Sequence, residues 1–119
     1  LLMKIHLRTC LMGNIKEISV QSLNKKINNY ENFLLIDVRE IQELKVSKIS
    51  QSIHIPMDSI PKNLHQIESS KPVIIMCKSG GRSAKVCQYL QNQGYLDIYN
   101  LKGGIISWAL EIDSNMAIY

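Results

Sequence analysis

The chain has 119 residues, 45% of them hydrophobic and 20% charged, with a formal charge of +4. That length holds one domain with one core, and no apolar run approaches the ~20 residues that a membrane-spanning helix needs. The basic residues are scattered, with only Lys25 and Lys26 adjacent and no aromatic–basic interleaving, so neither nucleic acid nor a membrane is an expected partner. The opening "LLMKIHLRTCLMG" is interrupted by Lys4, His6 and Arg8 and lacks the continuous ~7–15-residue core of a secretion signal. Residues 1–16 read as an arm without assigned structure, and residues 17–119 as the domain. Three cysteines, at 10, 77 and 87 with no CxxC spacing, fit neither a disulfide framework nor a zinc site and imply free thiols in a reducing, cytoplasmic compartment.

In chain order, "EISV" (17–20) suits a short strand, with Ser19 or Ser22 able to cap the polar segment that follows. "FLLIDV" (33–38) is a continuous apolar run of the kind buried on both faces of a parallel sheet. "REIQELK" (39–45) is a short helix former, and "SIHIP" (52–56) is extended up to its proline. "MDSIPKNLHQIES" (57–69) places Ile60, Leu64 and Ile67 at helical spacing, with Pro61 tolerable in the first turn. "PVIIMC" (72–77) is the second fully apolar strand. "SAKVCQYLQNQ" (83–93) carries Ser83, Val86, Cys87 and Leu90 on one helix face, and Gly94 stands where a helix end favours a left-handed residue. "YLDIYNL" (95–101) and "GGIISWALE" (103–111) supply a last strand and a last helix. Strands alternating with helices predict an α/β fold, a mostly parallel sheet with helices on both faces. Ligands of such sheets bind beyond the carboxyl ends of strands, where Cys77 and Asp37 fall.

The segment Cys77-Lys78-Ser79-Gly80-Gly81-Arg82-Ser83 concentrates the chemistry. Gly80 and Gly81 permit positive φ, so that successive N–H groups can turn inward as an anion-binding concavity. Ser83 opens a helix whose free amides favour negative charge. Arg82 adds a permanent cation whose direction the sequence leaves open. A thiol at the centre of such a bowl is held below its usual pKa of ~8.5 and becomes a nucleophile without a separate base. Packing is the competing reading, since free cysteine is often a small buried hydrophobe. That reading suits Cys87 on its apolar helix face better than a cysteine followed by glycines and cations. Cys10 falls in the arm, where a resolving thiol is one role open to it.

With these residues in view, the chain resembles the single-domain rhodanese family of thiosulfate or thiol sulfurtransferases. The matching pieces are "LLIDVRE" (34–40), "SIHIPM" (52–57), "VIIMCKSGGRSAKVCQYLQNQGY" (73–95) and "NLKGGIISW" (100–108). The resemblance implies a five-stranded parallel sheet. It implies that Cys77 takes up sulfane sulfur as a persulfide and hands it to cyanide or a thiol, chemistry open to a low-pKa, accessible thiolate. Asp37 and Arg39 match the family's strand-end pair and are expected as a structural anchor. Lys78 and Ser79 line the loop and face a small anionic donor such as thiosulfate. Lys102, Gly103 and Gly104 turn the last strand into the last helix near the site, and Trp108 anchors that helix. No cofactor is implied, and His6, His54 and His65 have no metal-site spacing.

Two alternatives accompany that reading. Cysteine-dependent phosphatases of the cell-cycle type resemble the same fold, but their loop places five residues between cysteine and arginine. Here four, Lys78 to Gly81, intervene, and the shorter ring of amides suits one sulfur better than a tetrahedral oxyanion. A non-enzymatic rhodanese module for docking, or a carrier that delivers sulfur to an acceptor protein, is the other. The chain departs from the family at "LKVSKISQ" (44–51), which lacks the usual Gly-His and glycine turn.

Overall fold

The computed structural model describes residues 15–119. The apolar runs form the strands and the amphipathic segments form the helices. The elements are β1 (Glu17–Ile18), α1 (Val20–Asn28), β2 (Leu34–Asp37), α2 (Ile41–Val46), β3 (Ile53–His54), β4 (Val73–Met76), α3 (Gly81–Asn92), β5 (Ile98–Leu101) and α4 (Gly104–Glu111). All strand pairs are parallel, in the order β1-β5-β4-β2-β3. The expected five-stranded parallel sheet is therefore present, with β4 at its centre.

Period-2 alternation explains why helices cover both faces. Val73 and Ile75 of β4 point to one side, together with Ile36 and Ile98, and pack with Val86, Cys87 and Leu90 of α3. Ile74 and Met76 point to the other, with Leu35 and Leu101, and pack with Val20 and Leu23 of α1 and Ile105 and Trp108 of α4. Trp108 is buried at this second core, as the helix-anchor reading expects. Ser19 caps α1, its Oγ accepting from Ser22 N at 3.1 Å. At the far end of α3, Gly94 has φ +100°. Tyr95 N donates to Leu90 O and Gly94 N to Gln91 O, both at 3.0 Å, the paired bonds of a Schellman ending.

Residues 57–69 differ from the expected single helix. Two 3-10 segments, Met57–Ser59 and Pro61–Gln66, stand there instead, with Asn63 at non-helical φ −122°. Asn63 Nδ2 donates to Ser59 O at 2.7 Å, so a side chain takes the carbonyl that an α-helix would have given to a backbone amide. The apolar spacing is still used: Ile60 and Ile67 are buried and Leu64 packs beside them.

The junction of β5 and α4 fixes the active end of the sheet. Gly103 and Gly104 have φ +77° and +60°, and Gly104 lies so close to the loop after β4 that a Cβ there would sit 2.4 Å from Lys78 O and 2.5 Å from Cys77 O. Both obstacles are backbone and cannot swing aside. Gly104→Ala should therefore lose more than about 2 kcal/mol of unfolding free energy through strain and contact. Gly81→Ala meets nothing within 4 Å and should stay within about 1 kcal/mol of the parent. Urea unfolding of the two variants measures both, and equal losses would refute this account of the junction.

Candidate active site

Cys77 follows the last residue of β4, and the chain then turns through Lys78 and Ser79 into Gly80, which has φ +116° and caps α3. Only glycine takes that φ without strain. It brings Gly80 N within 3.1 Å of Cys77 Sγ as a donor. Ser83, in the first turn of α3, sets its Oγ 3.2 Å from the same sulfur. Behind the loop, Ile105 N donates to Cys77 O at 3.0 Å and Ile106 N to Lys78 O at 3.1 Å. The start of α4 thus draws the loop carbonyls backwards and leaves the loop N–H groups facing the thiol.

Burial pushes the Cys77 thiol up, but the Ser83 hydroxyl and the amides of Ser83, Gly80 and Ser79 outweigh it and leave its pKa below the ordinary thiol value. Cys87 lacks such donors: burial, with a smaller contribution from Cys77, pushes it up to about 12. One thiol is tuned toward ionisation, and its neighbour ten residues on is held protonated. Cys77 is 1% exposed, which corrects the expectation of an accessible thiolate. The ring of amides that favours the anion also encloses it. Cys10 and His6 lie outside the described residues.

Arg82 does not reach into the ring. Its Nη1 and Nη2 grip Glu43 Oε2 and Oε1 at 2.7 and 2.9 Å, tying α3 to α2. Lys78 stands over the ring of Tyr119, with Nζ 4.5 Å from the centroid. Tyr119 OH accepts from Arg39 Nη1 and donates to Glu43 Oε1, each at 2.8 Å. Asp37 and Arg39 form a fully buried pair, Arg39 Nη2 donating to Asp37 Oδ2 at 2.8 Å and Nε to Oδ1 at 3.0 Å. Burial alone would lower the Arg39 pKa, but Asp37 and Tyr119 raise it above its ordinary value. Arg39 Nη2 also donates to Ser47 O at 2.8 Å, and Arg39 O accepts from His54 Nε2 at 2.6 Å. The glycine-free segment after α2 is held by the guanidinium instead.

Of the residues singled out in the sequence, Ser79, Gly80 and Ser83 present groups to the sulfur. The Lys78 and Arg82 side chains turn to Tyr119 and Glu43, and Asp37 and Arg39 brace the adjoining strand end. Sequence reasoning missed Glu43, Tyr119 and Asn100. Asn100 is 4% exposed; its Nδ2 donates to Gly80 O at 3.0 Å and its Oδ1 accepts from Ser83 Oγ. Its signal was a polar residue inside an otherwise apolar strand, and that of Glu43 was the Glu-x-x-Glu spacing of a helix start. Among the described residues no helix is long and apolar enough to cross a membrane, and no three acidic, histidine or cysteine side chains cluster as a metal site would need.

Comparison with known proteins agrees with this fold. A family model described as "Rhodanese-like domain" matches residues 19–111. A protein from Allochromatium vinosum named sulfurtransferase is 39% identical over 95 residues, 80% of this chain and 89% of its own. The Bacillus subtilis protein YtwF is 42% identical over 94 residues, 79% of this chain and 90% of its own. The crystal structure of a rhodanese-like domain protein from Staphylococcus aureus has a TM-score of 0.76 at 33% identity, covering 88% of this chain and 99% of that one.

The Glu43–Arg82 clamp has a pH signature. The Arg82 guanidinium holds the Glu43 carboxyl at about 2, against an ordinary value of 4.5. A carboxyl lowered on folding stabilises above its unfolded pKa and loses that effect as pH falls through the folded one. Glu43→Gln keeps a side chain able to accept at the helix start but removes the charge. Its stability deficit, about 1 kcal/mol at pH 6, should shrink steadily as pH falls below 4.5 and be clearly smaller at pH 3, though gone only below the folded value of about 2. Unfolding curves from pH 6 to 3 test this, and a deficit independent of pH would exclude the clamp as its source.

Proposed function

The chain belongs to the rhodanese-like family, and from that premise we propose that it is a sulfurtransferase whose Cys77 carries sulfane sulfur as a persulfide. The observation that carries the reading is a buried thiol with Ser83 Oγ at 3.2 Å and Gly80 N donating at 3.1 Å, contacts that favour its ionised form. In the forward step the Cys77 thiolate attacks the outer sulfur of a donor such as thiosulfate. The S–S bond of the donor breaks, sulfite leaves with the bonding pair, and the negative charge passes to the terminal sulfur of Cys77–S–S⁻. Cyanide or an acceptor thiolate then attacks that terminal sulfur, leaving as thiocyanate or a new persulfide and returning Cys77 as thiolate. Charge and electrons balance in both halves, and no cofactor is needed.

The loop amides that favour the thiolate would favour a persulfide anion at the same place by the same hydrogen bonding. Lys78 supplies positive charge at the rim for an anionic donor. It is kept in place by the face of Tyr119, a cation–π contact that leaves the ammonium free to meet a sulfonate oxygen. Phosphoryl transfer is disfavoured by the direction of Arg82, whose guanidinium is spent on Glu43 and offers no fork to a phosphate. A docking role would give no reason for the thiol to be tuned. The low exposure of Cys77 favours small donors and an acceptor that reaches in with a single sulfur or carbon atom.

Mass spectrometry of protein treated with thiosulfate should show one added sulfur on Cys77, removed by cyanide with release of thiocyanate. Cys77→Ser should take up none and show no turnover above background. Lys78→Ala should raise KM for thiosulfate about tenfold, equivalent to about 1.4 kcal/mol, with kcat little changed. A chain that ignores thiosulfate and small persulfides but hydrolyses an aryl phosphate would refute the reading.

A further inference from the structure

Ser83 stands between two groups that each want its single proton. A serine hydroxyl has one O–H to donate. On one side Cys77 Sγ is 3.2 Å from Oγ; on the other, Oδ1 of Asn100 accepts from Oγ. The orientation of the Asn100 amide is fixed by chemistry: Gly80 O is a carbonyl and can only accept, so the group 3.0 Å from it is Nδ2, and Oδ1 must face Ser83. Ser83 is fully buried and Asn100 nearly so, so bulk water does not reach them to replace whichever bond is broken.

We propose that Asn100 is a positioning residue that governs, through the direction of the Ser83 hydroxyl, how readily Cys77 ionises. While Cys77 is a thiol, the hydrogen bonds run in one direction: S–H to Oγ, then O–H to Oδ1. When the thiol proton leaves, the sulfur becomes the stronger acceptor and Ser83 turns its O–H to it. The Asn100 carbonyl oxygen then loses its donor inside the protein. Ionisation is thereby helped by Ser83 and opposed by Asn100, and the balance sets the thiolate fraction. When sulfur is added, the charge moves to the terminal atom among the loop amides. Sγ ceases to be an anion, and the Ser83 hydroxyl returns to Asn100. The pair therefore favours the loaded over the empty anion, in proportion to the strength of the Asn100 acceptor. This deepens the sulfurtransferase reading and rests on Cys77 as its reacting thiol.

Among the described residues, the other charged or titratable groups around the loop are Arg82 of α3 with Glu43 of α2, Cys87 of α3, Lys78 of the loop with Tyr119 beside it, and the Asp37–Arg39 pair at the end of β2. None of them is altered by the variants that test the proposal. Cysteine carrying ¹³C at Cβ reports ionisation without any need for reagent access, and Cys77→Ser identifies the signal. Ser83→Ala should raise the Cys77 pKa and Ser83→Thr should restore it. Asn100→Leu, which removes the rival acceptor at similar volume, should lower it enough to raise the thiolate fraction severalfold at a fixed pH below the midpoint. Asn100→Asp, a stronger acceptor, should raise it.

The decisive comparison repeats both Asn100 substitutions in the Ser83→Ala background. There the Asn100→Leu shift should vanish and the Asn100→Asp shift should shrink to its direct charge effect. If Asn100→Leu instead raises the pKa, Asn100 merely holds Gly80 and the proposal is wrong. Equal shifts with and without Ser83 would also overturn it. Should Asn100→Leu not fold, Asn100→Asp in the two backgrounds answers the same question. Thiosulfate loading of the same variants is scored separately. Pair-dependent titration in a Cys77 that takes up no sulfur would sink the sulfurtransferase reading alone, and loading without that dependence would sink only this proposal.

Discussion

The site depends on two hydrogen bonds that point away from it. Ile105 N and Ile106 N, at the start of α4, take the carbonyls of Cys77 and Lys78. A peptide plane turned outward at its C=O is turned inward at its N–H, so holding the Lys78 carbonyl turns the Ser79 amide toward the sulfur. The same two bonds use up donors that every helix start leaves over, so loop and helix complete each other. They require the backbones to approach so closely that Gly104 has no room for a side chain. A backbone-only contact between the loop after β4 and the start of α4 thus shapes the loop, and the Ser83 hydroxyl of α3 adds the side-chain hydrogen bond that helps to tune the thiol.

Around that ring the side-chain charges are used for construction. Arg39 is fully buried, which is tolerable only because Asp37, Ser47, Glu43 and Tyr119 occupy its donors. Arg82 locks α2 to α3 through Glu43. The negative charge at the sulfur is left to dipoles, which need no counterion to balance them when the anion is absent. Under the proposed sulfur transfer, this division would suit a site that passes between neutral thiol, thiolate and persulfide. A guanidinium within the ring would bind one of those states too well.

Much of this was legible in the sequence. The runs 33–38 and 72–77 marked central strands because a strand covered on both faces has no polar side to show, and of the two glycines expected at positive φ after Cys77, Gly80 has it while Gly81 opens the helix with an ordinary φ. Legibility failed where one residue's role depended on another far along the chain. Asn63 ended a plausible helix by taking a carbonyl for itself. Arg82 and Glu43 are 39 residues apart, and no local pattern pairs them. Asn100 could be seen as an odd polar residue in "IYNL", but its partners, Gly80 and Ser83, come from another element. The expected accessibility of Cys77 failed for a related reason: enclosure is a property of the closed ring and not of any residue in it.

Tyr119 touches Arg39, Glu43 and Lys78 although it follows a stretch, 112–118, without helix or strand. That stretch brings Tyr119 back to the side of Lys78 in the thiol loop. Whatever is joined beyond Tyr119 is therefore born at the doorway: a bulky purification handle would crowd it, whereas a flexible peptide ending in a thiol would be confined near it at an effective concentration of the order of millimolar. Position 119 is a convenient place to graft a built-in recipient, and a poor place to attach anything meant to be inert.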